Sequence, residues 1–208
     1  MKSVYNFVVT PKGERYNNKK KVDGGELILN TEIFNHQYVN REAIIISTPI
    51  IGDTDIKPGD EVIVHHNVFR RWHNVKGVEK NSRSYFNENT YIIDHDQIFL
   101  VKYCKSFSDD NWYAPEGYCF VKPLKENNPL NVDLEKPLQG IVKYSDGTVK
   151  VNDLVGFRPS SEYEFVIDGE RLYRVKSNFI TIKYEYQGDE EEYNPSWTES
   201  SGRVNQSC

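Results

Sequence analysis

The side chains best suited to catalysis or metal binding are five histidines and three cysteines. Their spacing supports neither chemistry. His65 and His66 are adjacent in "DEVIVHH", a run that reads as a strand. Neighbouring strand side chains point to opposite faces, so the two imidazoles are not expected to share a metal. Asp94 and Asp96 flank His95, but the same alternation puts both carboxylates on one face and the imidazole on the other. His36 and His73 stand alone. Cys104, Cys119 and Cys208 are odd in number and lack metal-type spacing, which fits reduced thiols in a cytoplasm. Nucleophile-elbow, phosphate-loop, zincin and C-x-x-C patterns are absent from the sequence. The chain is therefore expected not to be an enzyme, and no cofactor or metal is expected.

Two other stretches have residue types suited to contact. "FRRWHNVKGVEKNSR" is basic and carries Arg70, Arg71 and Trp72. It reads as a contact patch for phosphate or an acidic partner, or as a solvated hairpin with one aromatic packed on the domain; the second is preferred. The other stretch is "KKKVDGGELILN", where Gly24 and Gly25 precede the apolar triplet Leu27, Ile28 and Leu29 inside a long polar segment. The triplet is either the apolar tip of an exposed docking loop or a buried strand with the glycine pair in a hairpin turn.

The elements that must carry these residues are strands. The chain has 208 residues, 27% charged and 38% hydrophobic, with a net charge of -5. That acidity argues against a general nucleic-acid binder. No stretch reaches the roughly 18 apolar residues of a membrane span, and the N-terminus has no signal-peptide pattern. "YNFVVTP", "REAIIIST", "DEVIVHH", "TYIID" and "QIFLVKY" are short runs of β-favouring residues punctuated by Gly, Pro, Asn and Asp. No helical period is sustained, so the class is all-β, built of small barrels or sandwiches.

The second half repeats the first. "YNFVVTPK" at 5–12 is echoed by "YCFVKPLK" at 118–125, and "REAIIISTPI" from Arg41 by "LQGIVKYSDG" from Leu138. "IKPGDEVIV" from Ile56 is echoed by "VKVNDLVGF" from Val149, and "DQIFLVKY" from Asp96 by "NFITIKYE" from Asn178. Four blocks in one order imply two copies of one β-domain. The offsets fall from 113 at the first block to 93 at the third and 82 at the last. The first copy therefore holds about 20 more residues before its third block, where the Gly-Gly and apolar triplet lie, and about 11 more after it. An extra loop on one copy of a duplicated fold is a candidate functional attachment. The expected organisation is a first barrel at 1–105 with a long mobile loop at about 13–40, a linker at 106–116, a second barrel without that loop at 117–186, and a tail at 187–208. The tail is acidic, then Ser- and Asn-rich, and is expected to be disordered or to fold on a partner, with Pro195 and Trp197 as its anchor.

This pattern resembles the GroES-like 10-kDa co-chaperonin family, as a divergent tandem member. The family has a first strand, a polar mobile loop with an apolar tip after a Gly-Gly pair, an R-G-E-V type strand, a V-K-x-G-D-x-V turn into a strand, and a final D-I-L-A-I type strand. The matching residues are Gly24, Gly25, Leu27, Ile28 and Leu29, then "REAII" from Arg41, "IKPGDEV" from Ile56 and "DQIFL" from Asp96. In the second copy they are "QGIV" from Gln139, "VKVNDLV" from Val149 and "NFITI" from Asn178. Together they span about residues 3–186. The chain departs from the family in having Glu26 directly after the glycine pair, a short "STPIIGDTD" in place of a long roof hairpin, and no loop on the second copy.

The resemblance implies two GroES-like barrels and a non-enzymatic lid for a chaperonin ring, docking through the loop tip. It implies a homo-oligomer, of roughly seven chains by closed symmetry, and no membrane or nucleic-acid partner. Location is expected to be bacterial cytoplasm, or infected-host cytoplasm for a phage protein. The other reading is a phage virion or assembly protein that uses the barrels as oligomerising modules.

Overall fold

The computed structural model describes residues 2–16, 19–22, 25–28, 38–104, 111–126, 134–185, 188, 190–195 and 198. The chain is all-β and divides into two units, Met1–Trp112 and Tyr113–Cys208. Among the described residues no helix is long and apolar enough to cross a membrane.

The first unit contains β1 (Phe7–Pro11), β2 (Lys19–Val22), β3 (Gly25–Ile28), β4 (Glu42–Ser47), β5 (Glu61–Val64), β6 (Arg71–His73), β7 (Glu79–Asn81), β8 (Tyr85–Asn87), β9 (Thr90–Ile93) and β10 (Ile98–Lys102). Six of them form one antiparallel sheet in the order β10-β5-β4-β1-β9-β8, while β2–β3 and β6–β7 are separate hairpins. The second unit contains β11 (Tyr118–Lys125), β12 (Glu135–Tyr144), β13 (Leu154–Phe157), β14 (Glu162–Ile167), β15 (Glu170–Lys176) and β16 (Ile180–Tyr184). Their order, β16-β13-β12-β11-β15-β14, is that of the first unit with its two hairpins removed.

The two sheets agree residue by residue. Val9 faces Ile45 and Tyr91, as Val121 faces Val142 and Tyr173. A bulge falls between Val8 and Val9 and again between Phe120 and Val121. This register pairs Val9 with Val121, an offset of 112, and so moves the first-block match one residue from the sequence echo. The echo aligned Phe7 with Phe120 by residue type, whereas the hydrogen bonds put Cys119 in the place of Phe7.

Each sheet buries an apolar cluster, and the second sheet buries a further one of Leu124, Ile141 and Leu154. Val9, Ala43, Ile45, Val62, Val64, Phe69, Tyr91 and Ile98 share the first, and Val121, Val142, Val155, Phe157, Tyr173 and Val175 the second. Each fully buried branched or aromatic side chain contributes about 1.5–3 kcal/mol.

One turn recurs atom for atom. Ile45 N donates to Asp60 O (2.9 Å) and Gly59 N to Ile45 O (2.8 Å). Val142 N donates to Asp153 O (2.9 Å) and Asn152 N to Val142 O (2.7 Å). The Asp60 carboxylate accepts from Lys57 N at 2.7 Å, and the Asp153 carboxylate from Lys150 N at 3.0 Å. The residue before each aspartate is left-handed, Gly59 at φ +96° and Asn152 at φ +70°. Glycine and asparagine are the residues that tolerate this region best. Lys183 bonds Asp153 and, with Lys150 N, holds its carboxyl below the ordinary value.

The length differences locate the added pieces. Ile45 matches Val142 at an offset of 97, so 15 of the extra residues fall between β1 and β4, around the β2–β3 hairpin. The 11 residues after the third block are matched in length by the β6–β7 hairpin, from Arg71 to Asn81.

Asp60 is buried, and its other carboxylate oxygen accepts from Cys104 N at 3.0 Å. Asp60→Ala would leave two backbone donors without their acceptor and is expected to destabilise the first unit by about 1–3 kcal/mol. Asp153→Ala is expected to cost less, because Lys150 N can turn to water. Urea unfolding followed by amide exchange in each unit measures both.

Candidate functional site

The pieces present in one copy only are built on a common base. Tyr16 and Val39, both buried, form an antiparallel bridge where the chain leaves and returns. Asn40 fastens this neck. Its backbone N donates to Arg15 O (2.9 Å), its Nδ2 to Lys12 O (3.1 Å) and Glu14 O (2.8 Å), and its Oδ1 accepts from Glu42 N (2.9 Å). Asn40 is buried with its amide used in both directions, the condition under which a polar side chain stabilises an interior.

Beyond the neck, β2 and β3 pair with Lys19 opposite Ile28, Lys20 opposite Leu27 and Val22 opposite Gly25. The long loop expected from sequence thus contains a backbone hairpin, and Leu27 and Ile28 lie in its second strand. Gly25 is exposed. Gly24 and Leu29 lie outside the described residues.

The second added hairpin is tied to the same base. Arg71 N donates to the Tyr16 hydroxyl oxygen (2.7 Å), and the Arg71 guanidinium lies over the Tyr16 ring, 5.0 Å from its centroid. Arg71 Nη1 pairs with Glu79 Oε1 across the hairpin at 3.1 Å. From the neck side, Arg15 donates through Nε and Nη2 to Phe69 O (3.2 and 3.0 Å) and through Nη1 to Asn81 Oδ1 (2.9 Å). Arg15 also lies 5.4 Å from the centroid of the Tyr91 ring. Burial pushes the Tyr91 phenol up, and the positive charge of Arg15 opposes that shift.

The sequence-predicted basic patch is therefore divided. Arg71 is a structural tie between the two added segments. Trp72 is exposed rather than packed on the domain, together with Val75 and Val78 at the hairpin tip. Asn74 shapes that tip by accepting from Lys76 N and Val78 N, both at 3.0 Å, and Gly77 is left-handed. The first unit thus presents an apolar, lysine-flanked tip on a hairpin rooted beside the neck. The sequence offered both segments separately. Their shared base depends on Tyr16 and Arg15, whose sequence context carries no signal.

The histidine and aspartate patterns also change on folding. His65 and His66 follow the end of β5 in a turn, and their rings stack with centroids 4.4 Å apart instead of facing opposite ways. His65 Nδ1 accepts from Asn67 N (3.1 Å). His95 opens a 3-10 turn, His95–Gln97, so the alternation expected around Asp94 and Asp96 does not apply. The same 3-10 turn recurs in the second unit at Ser177–Phe179. There Cys119 is buried with Ser177 Oγ at 3.4 Å, and Ser177 Oγ donates to Asp146 Oδ2 at 2.7 Å. Burial raises the Asp146 carboxyl, but bonds from Ser177, Thr148 and Gly117 outweigh it and hold the group below its ordinary value. These contacts fix the turn; no imidazole takes part in them. Among the described residues no group of three or more His, Cys, Asp or Glu is placed to hold a metal.

Tyr16→Phe removes the acceptor of Arg71 N inside this base and is expected to cost about 1–2 kcal/mol in urea unfolding. Trp72→Ala is expected to stay within about 0.5 kcal/mol of the parent, as an exposed residue should.

No protein-family model matches the chain, and a search of curated proteins finds no match.

Proposed function

We propose that this chain is a tandem co-chaperonin-type lid, a non-enzymatic protein that docks reversibly on a chaperonin ring through its first unit. The observation that carries this reading is the asymmetry of the duplication. The second unit forms the same sheet without the added segments, so the fold does not need them. Both segments are rooted at one base, formed by Tyr16, Arg15 and Arg71. That placement suits a docking device carried by a β-scaffold. The block order around it is that of the GroES-like family, with Gly24, Gly25, Leu27, Ile28 and Leu29 at the position of the family's chaperonin-binding loop.

The energetics suit a reversible contact. Burying three branched aliphatic side chains contributes roughly 1.5–3 kcal/mol each, and ordering each loop residue costs about 1–2 kcal/mol. A single loop then binds weakly, and several loops on one lid bind strongly together. Closed symmetry favours equivalent contacts, hence about seven chains on a sevenfold ring.

A second reading keeps the same barrels and makes the chain a virion or assembly protein. It gains support from the second hairpin, whose exposed Trp72, Val75 and Val78 form an apolar tip that the family pattern does not call for.

Ile28→Asp is expected to abolish retention on a chaperonin column in the presence of nucleotide and to leave the melting temperature within about 2 °C of the parent. Wild type that is not retained, and that stays at 24.3 kDa by light scattering with chaperonin and nucleotide present, would exclude the lid. A large fall in stability of Ile28→Asp would place that side chain in a core.

A further inference from the structure

The C-terminal arm forms a strand-like contact with the second unit. Strand β11 pairs with β15 only from Tyr118 to Val121, so its last residues extend past that partner. The arm fills the vacant side. Tyr193 N donates to Pro123 O and Lys125 N to Glu191 O, both at 2.8 Å, and Glu192 bridges antiparallel to Leu124.

Side chains give this seat a charge pattern. Lys122 Nζ reaches Glu192 Oε1 and Oε2 at 3.0 and 2.9 Å, and Lys125 Nζ reaches Glu191 Oε2 at 3.0 Å. Arg171 N donates to Asn194 Oδ1 (3.2 Å), Asn194 Nδ2 donates to Gly169 O (3.1 Å), and the Arg171 guanidinium lies 5.6 Å from the Tyr193 ring centroid. Thr198 is buried and closes the arm on itself, donating to Asn194 Oδ1 (2.9 Å) and Pro195 O (2.7 Å).

We propose that this seat is a docking site for an acidic extended peptide and that its occupant in trans is the same arm of a second copy of the chain. The contact has the form of strand addition: main-chain bonds hold the peptide, and alternate side chains select it. The ion pairs that hold the arm lie at the surface. Glu191 and Glu192 are exposed, and exposed ion pairs of this kind contribute about 0–1 kcal/mol each. The arm is joined to β16 by a short connection that includes Gly188 at φ +84°, a residue able to redirect the chain. An element held by main-chain bonds and exposed ion pairs can exchange between identical chains, because the same bonds form in either chain. The inference stands independently of the lid reading.

Charge reversal in full-length chains tests it. One tagged variant carries E191K and E192K, which gives it a basic arm over a basic seat. The other carries K122E and K125E, an acidic arm over an acidic seat. Neither chain matches its own arm, but each matches the other's. At low salt the tagged chain is expected to retain the second variant at least about tenfold above a wild-type control. A chain carrying all four substitutions recovers its own match and is expected to fall back to the control. Failure to co-retain, with both variants melting like the parent, would overturn the proposal. Unfolding of the second unit in either variant by circular dichroism would also overturn it, since the arm would then be a fixed part of that fold.

Discussion

Each unit depends on one backbone exchange, in which the second strand gives and takes a hydrogen bond with the turn before the third. Ile45 makes it with Gly59 and Asp60, and Val142 with Asn152 and Asp153. The exchange requires a left-handed residue just before the aspartate, and an aspartate whose carboxylate bonds the backbone three residues upstream. With that turn set, the third strand lies against the second, the last strand pairs outside it, and the bulged first strand closes the other side. The geometry survives although few of the paired residues are identical between the copies. Hydrogen-bond register, rather than side-chain identity, is what the duplication has kept.

Much of this was legible in the sequence. The strand-rich class and the four echoed blocks followed from residue types and turn punctuation, because short strands are bounded by the residues that make turns. The "KPGD" and "KVND" runs marked the shared turn for the same reason. The first block was misplaced by one residue, since it was matched aromatic to aromatic, Phe7 to Phe120, whereas strand pairing puts Cys119 in the place of Phe7. The turns around His65 and His95 were read as strand. Both lie directly beside strands, and the period that identifies a strand gives its end poorly.

The site was only half visible. Added length exposed both extra segments, but length says nothing of where they meet. Their common base rests on Tyr16 accepting from a backbone 55 residues away and on Arg15 reaching Phe69 and Asn81. Such long-range ties have no local pattern. The arm was visible as an acidic run, and its seat was not, because Lys122, Lys125 and Arg171 become neighbours only once β11 and β15 pair.

The central claim is that residues 17–38 are a docking device added to a fold complete without them. Tyr16 and Val39 are bridge partners, so an Asn-Gly turn can join them directly in place of that segment. Differential scanning calorimetry of the excised chain, paired with chaperonin co-sedimentation, tests the claim most directly. The account predicts a cooperative transition within a few degrees of the parent, roughly the shift expected of about 1 kcal/mol, together with loss of co-sedimentation. Loss of the first unit's transition, or co-sedimentation undiminished, would contradict it.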